Sequence, residues 1–541
     1  MSLTATLPAA RIRRWLGAGL ALLALWAALI LPNHPGAMTW GALALQPLDL
    51  AAVVLLLLLA PRAATPVATA VWGLTLVKLV DVAGHLALGR ALNPGTDLVL
   101  LPLGWALARD VLGLPAALAA AAALVVLAVL LWRGLRAACR RIADFAPARA
   151  RPALALGLLA ALGLAVAETA KAVDPPGEAF TTRLAWEHAR DAVTARRALK
   201  AFRAEAAAEP VLAPQDILPA LAGRDLLIVF VESYGRSALE AAPYAALPAL
   251  LARLELPPAM AARSGWLVSP ISGGQSWLAR SSALAGLTID DEARFRALLA
   301  SPRRTLLHLA QTAGWRSVAL VPAISRAWPE AAWHGYDRVL ASGDLGYKGP
   351  PFGWAPVPDQ FALAAFERME LARSLHPTVP RAPVVAEIAL TSSHAPWTPV
   401  PALRDWEDLG DGSAYRAEGP APERLWRDPD RVRAKYALTL AYSLETALAF
   451  AARHPQALTL ILGDHPPAPF VALAPGREVP AHLLGPPEIV ARAADWGWRP
   501  GLLPDPATPA RPMSGLRDDL LAAFGAARAD AAMALPDARS H

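Results

Sequence analysis

The sequence predicts two joined parts: five transmembrane helices, then an extracytoplasmic α/β domain whose mostly parallel sheet is sandwiched by helices. Three observations carry this. The 541 residues are 55% hydrophobic with mean hydropathy +0.35, too apolar for one soluble domain and too long for one core. Every apolar run long enough to cross a bilayer falls before residue 168. After residue 224, short apolar strands alternate with helical stretches.

The runs lie at about residues 15–31, 41–60, 66–88, 111–132 and 152–167, the last near the short limit for a span. A sixth, 98–108, is too short to cross and carries Pro102 and Gly104, which suits an interfacial or re-entrant segment. Orientation follows from the basic residues. Arg11, Arg13 and Arg14 precede the first run, Arg62 separates the second and third, and Arg133, Arg136, Arg140, Arg141, Arg149 and Arg151 precede the fifth; the opposite loops hold Arg90 and Arg109. The N-terminus is therefore expected in the cytoplasm and everything after about residue 168 outside it, as in a multi-pass protein of a bacterial inner membrane with a periplasmic C-terminal domain. A cleavable signal peptide over 11–31 is the rival reading, but no small-residue cleavage site of the usual kind follows.

Of the 51 basic residues, only Lys78, Lys171, Lys200, Lys348 and Lys435 are lysines. In so alanine-rich a chain this reflects base composition, and no nucleic-acid partner is expected. The single cysteine, Cys139, excludes an intrachain disulfide framework and a cysteine-rich zinc site. Lys78, Asp81 and His85 share one face of the third run, where charge is costly; a functional role and a Lys–Asp pair bonding a neighbouring helix are both open.

The expected transmembrane domain is 1–168. Residues 169–223 break at "DPPGE" and continue as an amphipathic linker helix, 224–525 form the catalytic domain, and 526–541 a tail. Strands are expected at 226–231, 317–321, 384–390 and 457–462, with helices such as 303–312 and 433–453 between them. In such sheets ligands gather at the carboxyl ends of the strands. There the sequence places Glu232, then "TSSHAPW" (391–397), then "GDHPP" (463–467). They form one site if the strands are neighbours.

A lone carboxylate after an apolar strand is more often a cap than a ligand. Glu232 beside Asp464 and His465, however, makes an oxygen and nitrogen set suited to one divalent ion: Mn²⁺, Zn²⁺ or Mg²⁺. In "SPISGGQSWLARSSALAGL" (269–287) two glycines precede Ser276 at the start of a helix, where free N–H groups favour a phosphate. An ordinary Ser N-cap is the plain reading; a nucleophile activated by a metal is the functional one. His308 and His334 read as structural, His482 as a residue that could border the site, and Trp354 and Trp397 as core or as aromatic walls.

Together "FVESYG", "GGQSWLARSSALAGL", "SSHAPW" and "GDHPP", in that order behind apolar spans, resemble the alkaline phosphatase/sulfatase superfamily. The branch they resemble is that of the membrane-anchored lipoteichoic acid synthases and the phosphoethanolamine or phosphoglycerol transferases. The resemblance implies an alkaline phosphatase-like fold in which Glu232, Ser276, Asp464 and His465 bind the metal, Ser276 replaces the usual threonine nucleophile, and His394 and Trp328 contact substrate. The synthases have a histidine before that tryptophan and an arginine after it. Pro322 and Glu330 stand here, so the glycerol-phosphate pocket is not reproduced, though Arg326 could supply charge. Sulfatases convert a residue of C/S-x-P/A-x-R to formylglycine; residues 276–280 keep the arginine but have leucine for proline or alanine.

The implied activity is transfer of a phosphoglycerol- or phosphoethanolamine-type head group from a phospholipid donor to an envelope lipid or glycan acceptor at the membrane. The alternatives are a sulfuric or phosphoric ester hydrolase of the same fold, and an inactive membrane scaffold or glycan-binding protein. The complete set of four metal-site residues disfavours the scaffold, and five runs without an internal repeat disfavour a transporter.

Overall fold

In the computed structural model, the described residues are 9–88, 90–91, 93, 97, 100–145, 151–169, 171, 178–209, 212–372 and 381–526. The expected tail lies outside them but for Ala526. The chain divides into two compact units, Met1–Lys200 and Ala201–His541.

The first unit is helical: α1 (Ala9–Ile30), α2 (Leu48–Leu59), α3 (Ala64–Leu88), α4 (Leu101–Leu112), α5 (Leu114–Ala143) and α6 (Arg151–Thr169), followed by the start of α7 (Phe180–Ala207). Among the described residues three stretches, Ile12–Ile30, Pro61–Leu86 and Leu114–Ala143, are long and apolar enough to cross a membrane. The expected second span is shortened because its helix begins only after Pro47; its 12 residues rise about 18 Å, well short of a roughly 30 Å hydrocarbon layer. The helix of the expected fifth span has 19 residues, with an apolar stretch of Pro152–Glu168. Residues 101–108 of the 98–108 run belong to the 12-residue α4, and residues 98 and 99 lie outside the described ones.

Lys78 and Asp81 each bond a neighbouring segment. The Lys78 ammonium donates to Leu29 O (2.7 Å) at the end of α1 and to Thr181 Oγ1 (3.2 Å) in α7. Asp81 accepts from Asn33 Nδ2 (3.1 Å) and bonds His188 Nε2 (2.9 Å). His85 meets His34 edge-on at 4.4 Å.

The second unit is built on a mixed nine-stranded sheet: β1 (Leu226–Val231), β2 (Ala261–Val268), β3 (Arg316–Val321), β4 (Arg338–Ala341), β5 (Val384–Leu390), β6 (Leu458–Gly463), β7 (Glu478–Gly485), β8 (Arg499–Pro500) and β9 (Arg511–Pro512). Its order is β4-β3-β5-β1-β6-β7-β2-β8, with β9 on β2. The strands from β4 to β6 are parallel, whereas β7 is antiparallel to both β6 and β2. The parallel half was legible because strands covered on both faces read as unbroken apolar runs; all six residues of β1 are buried. The antiparallel half is more than the sequence predicted. In β2 the sequence Arg263-Ser264-Gly265 interrupts the apolar run, and Gly265 is required because a Cβ there would lie 2.1 Å from the Trp498 ring. One face of the sheet packs on helices that include Asp359–Phe366 and Pro429–Arg453, and their side chains join those of β1, β3 and β5 in a large core.

Candidate metal centre

Strands β5, β1 and β6 lie side by side, with Val231 in register with both Leu390 and Gly463. The three chain segments of interest therefore leave the sheet together. The Glu232 N–H donates to Leu390 O (3.1 Å) and the Asp464 N–H to Val231 O (3.3 Å), which draws both carboxylates to the same edge. Gly463 makes the approach possible, since a Cβ on it would stand 2.0 Å from the Tyr234 carbonyl oxygen.

Ser276 opens the helix Ser276–Ala285, after Gly273 and Gly274 turn the chain at φ 143° and 69°, conformations that suit glycine. Its hydroxyl donates to Glu232 Oε2 (2.9 Å) and lies 3.1 Å from His465 Nε2, which is itself 3.1 Å from Glu232 Oε1 and 3.8 Å from Asp464 Oδ2. Glu232, Asp464 and His465 are buried, with one ligand atom of each within 4.8 Å of the others; Ser276 is half-buried.

The loops around them fix each group. Asp464 Oδ1 accepts the N–H groups of Ser233 (2.9 Å) and His465 (2.7 Å), leaving Oδ2 for the cluster. The Ser233 carbonyl, in a turn with φ 59°, accepts from Tyr436 OH (2.8 Å). His465 Nδ1 pairs with Pro466 O (2.8 Å), which makes Nδ1 the protonated nitrogen and leaves Nε2 facing the carboxylates. Two carboxylates, a hydroxyl and a free imidazole nitrogen fit a divalent ion, and the backbone partner of His465 is the kind that orients a ligating histidine.

The electrostatics are those of a crowded acidic pair beside an imidazole. Burial and the Glu232 charge raise the Asp464 carboxyl to about 7. Burial pushes Glu232 up too, but His465, by charge and hydrogen bond, outweighs it and holds the group below the usual carboxylate range. His465 is raised to about 10: burial works against the imidazolium, and the Asp464 and Glu232 charges prevail.

His394 follows β5 on the same edge, half-buried, with its ring 5.8 Å from that of Trp354 and its charge acting on Glu232. Its loop is pinned by the fully buried Asp359, whose Oδ1 accepts from the Thr391 and Ser392 N–H groups (2.8 and 3.0 Å). Trp328 is placed on a wall of the β3–β5 edge, packed on His334 (5.4 Å) and Tyr336 (5.9 Å) over Ala319, Val321 and Ala389. His482 does not border the cluster. It is a buried sheet residue held by Tyr234 OH (3.0 Å) and Ser264 Oγ (2.8 Å). His308 shares a capping box with Thr305.

Several supporting groups carry no local signal of their role. Ser393 Oγ donates to Glu232 O (2.6 Å), Ser269 Oγ to Asp464 O (2.6 Å), and Arg280, one turn beyond Ser276, pairs with Glu387 in β5 (2.8 Å). Ser269, Arg280 and Ser393 stood in quoted motifs without a sign of these partners, and nothing local marks Asp359 or Glu387.

No protein-family model and no curated protein matches the chain. Solved structures do. The lipoteichoic acid synthase LtaP from Listeria monocytogenes is similar at 12% identity over 60% of this chain and 77% of its own, with TM-score 0.36. A protein in the alkaline phosphatase superfamily from Vibrio parahaemolyticus matches at 15% identity over 60% and 74%, with TM-score 0.34. The C-terminal periplasmic domain of EptC from Escherichia coli, in complex with Zn, matches at 15% identity over 57% and 84%, with TM-score 0.34. These neighbours carry the names of the superfamily and branch that the four motifs resemble; at such scores the chemistry of this chain rests on its own side chains.

Proposed function

We propose that the chain is a metal-dependent transferase that moves a phospho-head group, of phosphoglycerol or phosphoethanolamine type, from a phospholipid donor to an envelope lipid or glycan. Ser276 is its nucleophile, and residues 224–525 are its catalytic domain. It is read as a multi-pass protein of the bacterial inner membrane, N-terminus inside and catalytic domain outside. The observation that carries the reading is the Ser276 hydroxyl, half-buried at a helix N-terminus and hydrogen-bonded to both Glu232 and His465. A serine that merely capped a helix would have no need of a buried carboxylate and imidazole.

Glu232, Ser276, Asp464 and His465 would hold one divalent ion, which when bound supplies positive charge that acidifies the serine hydroxyl and offsets charge on the phosphoryl group. The Ser276 proton leaves along its hydrogen bond to Glu232 Oε2 as Oγ attacks phosphorus. The Oγ–P bond forms, the bond from phosphorus to the lipid oxygen breaks, and that oxygen takes up the proton that Ser276 gave to Glu232. His394 and the N–H groups of the first helical turn face the non-bridging oxygens. An acceptor hydroxyl then attacks the phospho-serine, the Oγ–P bond breaks, and the acceptor's proton returns to Ser276.

The test is cleavage of a chromogenic phosphodiester beside the matching sulfate ester by the full-length protein in detergent. Mn²⁺, Mg²⁺, Zn²⁺ or chelator is added, with Ser276→Ala in parallel. Phosphodiester cleavage that needs metal and vanishes in the variant is the expected result. Sulfate cleavage alone would assign a sulfuric ester hydrolase, and inactivity on both with no metal bound would assign a scaffold.

A further inference from the structure

Around the candidate centre the surface turns apolar. Among the described residues of the second unit, seven large apolar side chains are strongly exposed, and five of them, Trp354, Leu403, Trp426, Phe470 and Leu473, lie in segments that follow the C-terminal ends of parallel strands. Three of them follow β5 and β6, the strands that lead to His394 and His465, and make up a platform through the Trp426–Phe470 contact and the short helix that carries Phe470 and ends at Leu473. Trp426, 44% exposed, stacks flat on Trp397 (5.6 Å, 4°) three residues from His394, and meets Phe470 edge-on at 5.6 Å. Phe470 is five residues beyond His465, and Leu473 closes the same short helix.

Leu473 shows that this exposure is held in place. It ends the helix Pro469–Ala472 with φ 61°, a left-handed conformation that glycine normally supplies, yet a leucine stands there with 42% of its surface open. The rim is basic: residues 422–435 hold five basic side chains against three acidic ones, with Arg424, Arg427 and Arg431 exposed, and Arg433 Nε donates to Phe470 O (3.0 Å).

We infer that this platform seats on the surface of an anionic lipid bilayer, with Trp426, Phe470 and Leu473 entering the headgroup and acyl boundary and the arginines meeting lipid phosphates. Indole, phenyl and leucyl groups ringed by arginine are the composition of a membrane interface. A sugar-binding platform would set amides and carboxylates beside its stacking ring, whereas Trp426 has Phe470 beside it. The chain carries helices able to cross a bilayer, so the surface it needs is always at hand. The assignment stands whatever reaction Ser276 performs. Its consequence is that the mouth of the site opens at lipid rather than toward bulk water.

The test uses the full chain in nanodiscs of equal phosphatidylcholine and phosphatidylglycerol that include a lipid nitroxide-labelled near the headgroup. On a Cys139→Ser background, a bimane probe is placed at Phe470→Cys and, as a control, at Leu503→Cys, a position 39% exposed near β8. Quenching several-fold stronger at 470 than at 503 is expected. In the unmutated chain, segments 422–428 and 469–474 should exchange amide hydrogens more slowly in nanodiscs than in amphipol, which guards against a misfolded variant. Equal quenching at the two positions, or unchanged exchange, overturns the proposal. A probe at 470 that ignores the lipid nitroxide but shifts with an N-acetylglucosamine hexasaccharide would overturn it in favour of a sugar surface.

Discussion

Arg280 Nη1 lies 2.8 Å from Glu387 Oε1, a buried ion pair that ties the helix headed by Ser276 to the middle of β5, where Tyr336 OH also bonds the carboxylate. Glu387 is 1% exposed, so either partner left alone would be an uncompensated buried charge. Glu387→Leu alone is expected to cost about 3 kcal/mol, as is Arg280→Met alone, whereas the double change Arg280→Met/Glu387→Leu should recover most of it. Thermal unfolding of the full-length protein for the four members of the cycle measures the coupling. Additive losses would show that the pair does not anchor the helix.

The candidate metal site predicts a different pattern. Ser276→Ala should lower phosphodiester turnover by roughly 10³-fold or more while leaving metal content close to that of the wild type, because three ligands remain. Glu232→Gln and His465→Ala should lower both together, by elemental analysis of the purified protein and by activity. Chelator should abolish turnover and added divalent ion restore it. Full metal content in His465→Ala would remove that residue from the ligand set.

What the sequence disclosed follows the range of the interactions. Glu232, Asp464 and His465 stand next to unmistakable buried strands, and Ser276 follows two glycines at a helix start, so residue type and position together pointed to them. Their adjacency depended on β1 lying between β5 and β6, which the strand order of the sheet decides and no local pattern encodes. For the same reason Asp359 and Glu387 were illegible. Their partners at 391–392 and at 280 are far away in sequence, and an acidic residue in an apolar run carries no mark of its partner. The shortening of the second apolar span, by contrast, could be read locally from Pro47.

Two buried histidines set a pH dependence of stability. Burial lowers His334 and His482 from 6.5 to about 4. Between those values the unfolded chain binds a proton that the folded one refuses, so stability falls as pH drops from about 6.5 to 4, by up to about 3 kcal/mol per histidine, and is steady above. The two should respond differently to phenylalanine. His334 has both ring nitrogens without hydrogen-bond partners and stacks on Tyr336 at 5.5 Å, so His334→Phe should raise stability by about 1 kcal/mol and flatten the acid limb. His482→Phe strands Tyr234 OH and takes one of two partners from Ser264 Oγ, which keeps its bond to Gly501 O (2.7 Å), and should lose about 2 kcal/mol at neutral pH. Unfolding midpoints across pH 4 to 8 separate the cases.

Gly463 gives the most direct link between backbone and centre. A methyl group at this position would stand 2.0 Å from the Tyr234 carbonyl oxygen and 2.9 Å from its carbon, backbone atoms that cannot swing aside. The 232–235 turn must then move away from the end of β6, and with it Glu232 from Asp464. Gly463→Ala is therefore expected to cost about 3 kcal/mol from overpacking and to weaken metal binding, although no ligand is altered. The companion change Leu473→Gly, outside the cluster, should stabilise by about 1 kcal/mol by relieving a left-handed leucine and leave metal content unchanged. If Gly463→Ala kept both its unfolding midpoint and its metal, the close approach of these two turns would not be what brings the carboxylates together.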